Sequence, residues 1–146
     1  MFIVFEGLDK SGKGTLEREL LKATNFKHIV IDRGPAGYMV FDKLFNRQTH
    51  SGNFQFMKQA EFMMSSNNFM VVYCKAPHDV AFERIKEHGE SCPYKYKYAQ
   101  ELYDLHIGAL YDEGKVVEID THQFTVDECV NQIVNKLQEV LKGEHN

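Results

Sequence analysis

The stretch FIVFEGLDKSGKGTL, residues 2–16, decides the fold expected of this chain. Its first four residues are wholly apolar, as in a strand that is buried on both faces of a parallel sheet. A glycine-rich turn follows, in which Gly7, Gly12 and Lys13 have the spacing G-x4-G-K. This order of strand, turn and helix is the context in which backbone N–H groups cradle phosphate oxygens. The stretch therefore predicts a phosphate-binding loop between a first strand and a first helix.

The residues of this loop are expected to hold the phosphates of a nucleotide. Glycine lets consecutive amides turn toward an anion, and the following helix points its positive end at the same anion. Lys13 adds a charge for the outer phosphates. Gly14 stands where the strict pattern has a magnesium-binding hydroxyl, and Thr15 follows one residue later. The predicted nucleotide-binding residues are Gly7, Asp9, Lys10, Ser11, Gly12, Lys13, Gly14 and Thr15.

Outside the loop, short apolar runs alternate with stretches of helical period. Further strands are predicted at residues 28–31, 69–74 and 115–119, and helices at 15–24, 36–47, 53–65, from about 79 to 88, 99–111 and from 125 onward. Thr125 and Glu128 form a capping box at the start of the last helix. Strands that alternate with helices predict an α/β fold with three αβα layers and a small parallel sheet of about four strands. Residues 1–146 are expected to form a single domain.

Asp32 and Arg33 follow the second predicted strand directly. In an open parallel sheet, the carboxyl ends of the strands face the ligand crevice, so this pair is expected beside the loop. Asp32 offers a carboxylate for magnesium, and Arg33 offers a planar fork suited to phosphate. Thr15 and Asp32 are therefore the predicted magnesium ligands. The plainer alternative is a helix-capping aspartate with a solvated arginine.

Composition restricts the partners and the compartment. The 146 residues carry a formal net charge of −4, which gives no general attraction to nucleic acid or to an anionic membrane. Three scattered cysteines predict reduced thiols and a cytoplasmic location, with packing roles for Cys74 and Cys129. Glu6 and Asp9 interrupt the opening apolar stretch, which argues against a signal peptide. The seven histidines show no metal-ligand spacing.

The same segments resemble those of thymidylate kinases. FIVFEGLDKSGKGTL is similar to their opening, and Asp32-Arg33 with Phe41 is similar to their DR segment. VVYCKAPHDVAFERIKEHG and VVEIDTHQFTVDECVNQI resemble two of their later strand–helix pairs. The similarity spans nearly the whole chain, although only the loop and the DR segment are specific. A GKGT ending also occurs in adenylate and uridylate kinases. The resemblance implies a P-loop kinase fold that uses ATP and Mg²⁺.

The resemblance also implies roles for individual residues. Asp9 matches a carboxylate near the acceptor sugar, and Lys10 lies where some members carry an arginine that acts on the transferring phosphoryl group. Arg33 matches the arginine that grips the acceptor phosphate. Phe41 matches an aromatic residue close to the acceptor base, and Tyr38 is a neighbour that can stack there instead. The implied catalytic residues are Lys10, Lys13, Asp32 and Arg33.

The chain departs from the thymidylate kinase pattern in three places. Gly37 replaces the usual serine of the DR segment, and a strand–helix unit between residues 24 and 28 is missing. A short lid, expected near residues 89–98, contains lysine but no arginine. Arg84, on the preceding helix, is therefore a candidate substrate-binding residue that points inward. These features suggest an abbreviated, phage-type relative.

The expected reaction is transfer of the ATP γ-phosphoryl group to a nucleoside monophosphate, such as thymidylate or another deoxynucleotide. A phosphate acceptor needs no strong general base, and no obvious one is present. One alternative is a kinase that acts on a hydroxyl of a nucleoside, a modified base or a polynucleotide 5′ end, with Asp32 as base. Another is a nucleotide-binding module without transfer activity. The resemblance also implies a homodimer, with residues 53–64 as a candidate interface.

Overall fold

A computed structural model describes residues 1–8, 10–47, 52–87 and 96–143. The described strands are β1 (Phe2–Glu6), β2 (Ile29–Asp32), β3 (Phe69–Lys75) and β4 (Val116–Asp120). The described helices are α1 (Lys13–Ala23), α2 (Pro35–Leu44), α3 (Gly52–Ser65), α4 (His78–Glu87), α5 (Tyr96–Leu110) and α6 (Val126–Gly143). Within these ranges, no helix is both long and apolar enough to cross a membrane.

The four strands form one parallel sheet in the order β2-β1-β3-β4. Phe5 pairs with Asp32, Glu6 with Tyr73, and Lys75 with Asp120, so all four strands end at about the same level. The prediction of a small parallel sheet of about four strands is confirmed. The residues that follow β1, β2 and β4 therefore meet at one edge of the sheet.

Helices cover both faces of the sheet. Ile3 and Phe5 of β1 belong to a core cluster with Leu16 and Leu20 of α1 and with residues of α6. Val4 belongs to the opposite cluster, which contains residues of α2, α3 and α5. This alternation follows from the two-residue period of a strand. Burial of each such side chain contributes about 1.5–3 kcal/mol to folding. The structure thus has the three predicted αβα layers.

Most element boundaries agree with the sequence prediction, and the two largest differences have clear causes. Helix α2 ends at Leu44, not at residue 47, because Asn46 adopts a left-handed backbone (φ 54°) that stops the helix. Helix α5 begins at Tyr96, not at residue 99, because Tyr96 and Ala99 are both buried and extend its apolar face. Residues 96–98 of the predicted lid are therefore helical, and residues 89–95 lie outside the described residues.

Two smaller predictions are confirmed. At α6, the backbone N–H of Thr125 donates to Glu128 Oε1 at 3.1 Å, and the N–H of Glu128 donates to Thr125 Oγ1 at 3.2 Å. This is the predicted capping box.

Cys74 and Cys129 are buried free thiols, as expected for packing residues. Between α1 and β2, residues 24–28 form only a turn, so the strand–helix unit of thymidylate kinases is absent there.

Candidate functional site

The loop between β1 and α1 has the backbone geometry of an anion site. Gly7 has φ 145°, and a Cβ atom there would lie 2.5 Å from the Cys74 carbonyl oxygen, so only glycine fits. Lys10 and Gly12 also adopt positive φ values, of 63° and 91°. Helix α1 begins directly after Gly12, and its first turn contains no acidic side chain. The first N–H groups of α1 are therefore available to an anion.

Lys13 and Asp32 come together as the sequence predicts. The Lys13 side chain is 9% exposed, and its Nζ lies 3.3 Å from Oδ1 of Asp32, which is 60% exposed. Both residues line a cavity of about 370 Å³ that also includes Gly12, Thr15 and Arg33. The loop, the first residue of α1 and the end of β2 thus face one crevice, which is lined by the cationic residues Lys10, Lys13 and Arg33 and by the Asp32 carboxylate.

Glu17 also belongs to this cavity, and the sequence analysis missed it. Its carboxyl group shares a hydrogen bond with Asp32. Burial, together with this bond and the Asp32 charge, raises the pKa of Glu17 to about 7. Burial also raises the pKa of Asp32, but the bond from Glu17 and the Lys13 charge outweigh it, so the pKa of Asp32 is lowered. Below about pH 7, a protonated Glu17 therefore donates to an ionised Asp32 beside the loop.

Replacing Glu17 with glutamine is expected to make the free energy of unfolding less dependent on pH. Between the usual pKa of 4.5 and about 7, folded Glu17 holds a proton that the unfolded chain has lost, so unfolding free energy falls as pH rises. Since Glu17 is only half buried, we expect Glu17→Gln to be more stable than the wild type by about 1 kcal/mol at pH 8, or about 2–4 °C in melting temperature. Thermal melts at pH 4.5 and 8 measure it. Glu19→Gln, a change on the same helix, is the control. If Glu17→Gln shifted the melting temperature equally at both pH values, this explanation would be wrong.

Arg33 is held in an unusual conformation beside the crevice. Its φ is 71°, its N–H donates to the Phe5 carbonyl at 2.8 Å, and its guanidinium carbon lies 3.9 Å from the centroid of the Phe41 ring. Among the described residues, the buried Nε of Arg33 has no hydrogen-bond partner. A buried donor without an acceptor is costly.

The two predicted acceptor aromatics have different environments. Phe41 is 5% exposed and lies beneath Arg33, so its burial does not support the predicted contact with an acceptor base. Tyr38 is 41% exposed and stacks on Phe56 with ring centroids 5.4 Å apart. Tyr38 and Arg33 line an apolar groove of about 750 Å³, together with Phe54, Phe62 and the side chains of Gln55 and Gln59. Tyr38 is thus the aromatic residue that remains accessible beside Arg33.

Gly37 explains why the usual serine of the DR segment is absent. A Cβ atom at Gly37 would lie 2.5 Å from Tyr103 Oη, 2.6 Å from Arg33 Cγ and 2.7 Å from Glu6 Oε1. Several atoms must therefore move to admit any larger residue. The glycine is required by close packing around Arg33 and Glu6.

Gly37→Ala is therefore expected to destabilise the fold by about 1–3 kcal/mol, the usual cost of overpacking. Each 1 kcal/mol corresponds to about 2–4 °C in melting temperature for a chain of this size. Gly108→Ala is the matched control, because a Cβ atom there meets nothing within 4 Å and alanine favours the α5 helix. The measurement is the melting temperature of each variant. A Gly37→Ala protein as stable as Gly108→Ala would contradict this explanation.

Arg84 lies on the other side of the loop from the apolar groove that contains Tyr38. Its Nη1 donates to the Lys10 carbonyl at 2.9 Å, and its Nη2 donates to the Thr121 carbonyl at 3.3 Å. It lines a cavity of about 340 Å³ with Lys10, Thr15, Thr121 and Phe124. Arg84 does point inward, but toward the loop that follows β4 and not toward Arg33 and Tyr38.

Three further predicted site residues have different surroundings. Asp9 lies outside the described residues. Ser11 is 3% exposed, and its hydroxyl has no hydrogen-bond partner within the described part of the chain. Thr15 is exposed at the start of α1 and lines the cavities that contain Asp32 and Arg84. In the described ranges, no three His, Cys, Asp or Glu side chains gather as a metal-binding cluster.

Comparison with solved structures identifies the fold. The YorR protein of Bacillus subtilis, in complex with phosphorylated GDP, superimposes with a TM-score of 0.76 over 100% of this chain and 99% of that one, at 20% identity. The chain has a P-loop kinase fold. Deoxyadenosine kinase from M. mycoides, with the products dCMP and a flexible dCDP, gives 0.66 over 96% and 100% of the two chains, at 15% identity. The same kinase with bound dCTP gives 0.67 over 94% and 99%, at 14% identity. No family model and no curated protein sequence matches the chain.

Proposed function

We propose that the protein transfers the γ-phosphoryl group of ATP to the phosphate of a nucleoside monophosphate, with thymidylate or another deoxynucleotide as acceptor. The observation that carries this proposal is the meeting of Lys13, Asp32 and Arg33 at one edge of the sheet, directly beside the glycine-rich loop. The proposal treats residues 1–146 as one kinase domain. The likeness to YorR, solved with phosphorylated GDP, and to deoxyadenosine kinase, solved with dCMP and dCDP, supports it at the level of the fold.

The donor fits the side of the loop that contains Arg84. The amides of residues 10–15 and Lys13 would bind the phosphates of ATP, with Lys10 close to the transferring group. The adenosine would then enter the cavity of about 340 Å³ between Thr15, Thr121 and Phe124. Arg84 fixes the width of this cavity, because it ties the Lys10 carbonyl to the Thr121 carbonyl.

The acceptor fits the other side of the loop. Arg33 would bind its phosphate through the guanidinium group, since Arg33 lines both the crevice and the apolar groove. Tyr38 would contact its base at the rim of the apolar groove. An oxygen of the acceptor phosphate attacks the γ-phosphorus, the bond from that phosphorus to the bridging oxygen breaks, and ADP leaves with that oxygen. Lys13, Lys10 and Arg33 stabilise the charge on the transferring group.

Magnesium fits the oxygen donors that line this crevice. Asp32 and Glu17 offer carboxyl oxygens and Thr15 a hydroxyl, all in one cavity. Since Gly14 has no side chain, Asp32 and Thr15 are the proposed ligands, with water and substrate phosphates completing the coordination. When bound, the ion neutralises charge on the β- and γ-phosphates. Glu17 would hold Asp32 in place through their shared hydrogen bond.

A second candidate is a kinase that phosphorylates a hydroxyl group. It is favoured by the position of the Glu17 and Asp32 carboxyl groups in the crevice beside the loop, where the pKa of Glu17 is raised to about 7 and its ionised form can accept a proton from an alcohol. The Glu17–Asp32 pair would then act as the base. The two candidates differ in whether the acceptor needs a phosphate.

An acceptor screen with γ-labelled ATP distinguishes these functions. Each nucleoside, each nucleoside 5′-monophosphate in ribose and deoxyribose form, and a 5′-hydroxyl oligonucleotide is incubated with the protein and Mg²⁺. We expect labelled diphosphates, with a deoxynucleoside monophosphate as best acceptor. Label on nucleosides or on the oligonucleotide would favour the hydroxyl kinase. ATP binding without label on any acceptor would indicate a binding module.

A further inference from the structure

Glu6 is a carboxyl group in the centre of the fold, and the reaction as proposed does not use it. Its side chain is 0% exposed at the end of β1, one residue before the glycine-rich turn. Strand alternation places it on the same face as Val4, toward α2 and α5. An ionisable side chain this deeply buried is costly unless its oxygens are fully hydrogen-bonded.

Donors from two other segments converge on this carboxyl group. The N–H of Gly34 donates to Oε1 at 3.0 Å, and the N–H of Gly37 donates to both oxygens, at 3.1 and 3.2 Å. The Tyr111 hydroxyl donates to Oε2 at 2.6 Å and accepts a bond from the Ala36 N–H at 3.2 Å. Because all of these groups act as donors toward Glu6, the site is built to hold a carboxylate.

The pKa of Glu6 reflects the opposing effects of burial and of these hydrogen bonds. Burial raises it, while the bonds from Tyr111, Gly34 and Gly37 and the charge of Lys13 lower it. The net direction is upward, so the carboxylate depends on every donor that the site provides. We call this group of Glu6, Tyr111, Gly34 and Gly37 the Glu6 clamp.

The Glu6 clamp lies directly beside Arg33. Arg33 precedes Gly34 directly and has a left-handed φ of 71°, which costs energy unless its neighbours hold it. Its own N–H is bonded to the Phe5 carbonyl, next to Glu6 in β1. Its Cγ packs so closely on Gly37 that no Cβ fits between them. Arg33 is thus held at its backbone by Phe5 and packed at its Cγ against Gly37, whose N–H is bonded to Glu6.

We infer that Glu6 and Tyr111 are positioning residues for the acceptor: the buried carboxylate and the tyrosine hydroxyl fix the turn between β2 and α2, so that Arg33 faces the crevice before any ligand binds. This inference rests on the proposed function for its link to the acceptor, but not for the clamp itself. Tyr111 lies just beyond the C-terminal end of α5. The clamp thus connects the end of α5 to the residue that grips the acceptor phosphate.

Tyr111→Phe tests this inference with the least disturbance, because it removes one hydroxyl group and keeps the ring. Glu6→Gln, which faces the Gly34 and Gly37 donors with a neutral amide, is the stronger variant. Tyr73→Phe is the matched control: Tyr73 pairs with Glu6 through the backbone only, and its hydroxyl, which donates to Asp104 Oδ1 at 2.8 Å and accepts from Gln100 Nε2, bonds to α5 and to no member of the clamp.

Two measurements are made on the full chain. Amide hydrogen exchange, followed by NMR, reports on Gly34 and Gly37 without any ligand. Steady-state kinetics with the best acceptor of the screen report the KM of the acceptor, the KM of ATP and kcat. For Tyr111→Phe we expect exchange at both glycines to accelerate about 10-fold, and the acceptor KM to rise about 10-fold with the ATP KM within about 2-fold, as for loss of one hydrogen bond to a charged group. Tyr73→Phe should change none of these quantities.

The possible results separate the clamp from the proposed function. Unchanged exchange at Gly34 and Gly37 in Tyr111→Phe overturns the clamp. Faster exchange with equal rises in both KM values, or with no rise in the acceptor KM, overturns its positioning role. If the wild-type protein phosphorylates no acceptor, the proposed function and the link to an acceptor both fail, while faster exchange in Tyr111→Phe but not in Tyr73→Phe still supports the clamp.

Discussion

Lys13→Ala is expected to reduce phosphoryl transfer by at least about 10³-fold, or about 4 kcal/mol of transition-state stabilisation. Lys13 is the ammonium group that the structure directs into the crevice, 3.3 Å from Asp32, and its charge is needed where negative charge develops on the transferring group. The loss should appear in kcat with saturating ATP. Circular dichroism and thermal melts should show an intact fold, since the Asp32 side chain that loses its partner is 60% exposed and remains solvated.

Lys22→Ala is the matched control for this variant. Lys22 lies on the same helix, and its side chain is 65% exposed and paired with Glu19 at 3.3 Å. The control should retain wild-type activity. Wild-type turnover by a folded Lys13→Ala protein would mean that the loop does not bind the donor as proposed.

Arg33→Ala is expected to raise the KM of the acceptor by about 10–100-fold and to change the KM of ATP by no more than about 2-fold. A charge-assisted hydrogen bond to phosphate contributes about 1.5–3 kcal/mol, and 1.4 kcal/mol corresponds to a factor of ten. The measurement is a pair of saturation curves, one for each substrate, with the acceptor that the screen identifies. The selective effect follows from the position of Arg33 on the groove that contains Tyr38, away from Arg84.

The control for Arg33 is Arg47→Ala. The guanidinium of Arg47 also lies over an aromatic ring, that of Phe45, at 4.8 Å, but Arg47 is exposed beyond the end of α2. Its removal should leave both KM values unchanged. An equal rise in the KM of ATP and of the acceptor after Arg33→Ala would place Arg33 on the donor side and remove the argument for a phosphate acceptor.

The fold was predictable because its signals are local. The apolar run before Gly7, the loop spacing and the capping box at Thr125 each identify an element from fewer than ten neighbouring residues. The rule that parallel strands end at a common edge was enough to bring Asp32 and Arg33 next to Lys13. Boundaries differed where tertiary contacts prevailed, as at Tyr96, whose burial extends α5 by one turn.

The site was only partly predictable because several of its contacts join distant segments. Glu17 lies one helical turn after Lys13, so the four-residue spacing placed both on one face of α1, but nothing local showed that β2 would bring Asp32 to the same face. The alternation of β1 indicated the face of Glu6, yet its partners come from α2 and from Tyr111, 105 residues away. Phe41 matched the motif of the resemblance, but packing beneath Arg33 buries it.

A crystal structure of the protein with Mg²⁺ and the ATP analogue AMP-PNP tests the central claim most directly. The account predicts that amides of residues 12–15 and Lys13 Nζ lie within hydrogen-bonding distance of the β- and γ-phosphates. It also predicts that Asp32 and Arg33 face the γ-phosphate, with the adenosine between Thr121 and Phe124. A loop without the triphosphate at saturating analogue, or Asp32 and Arg33 turned away from a bound triphosphate, would contradict it.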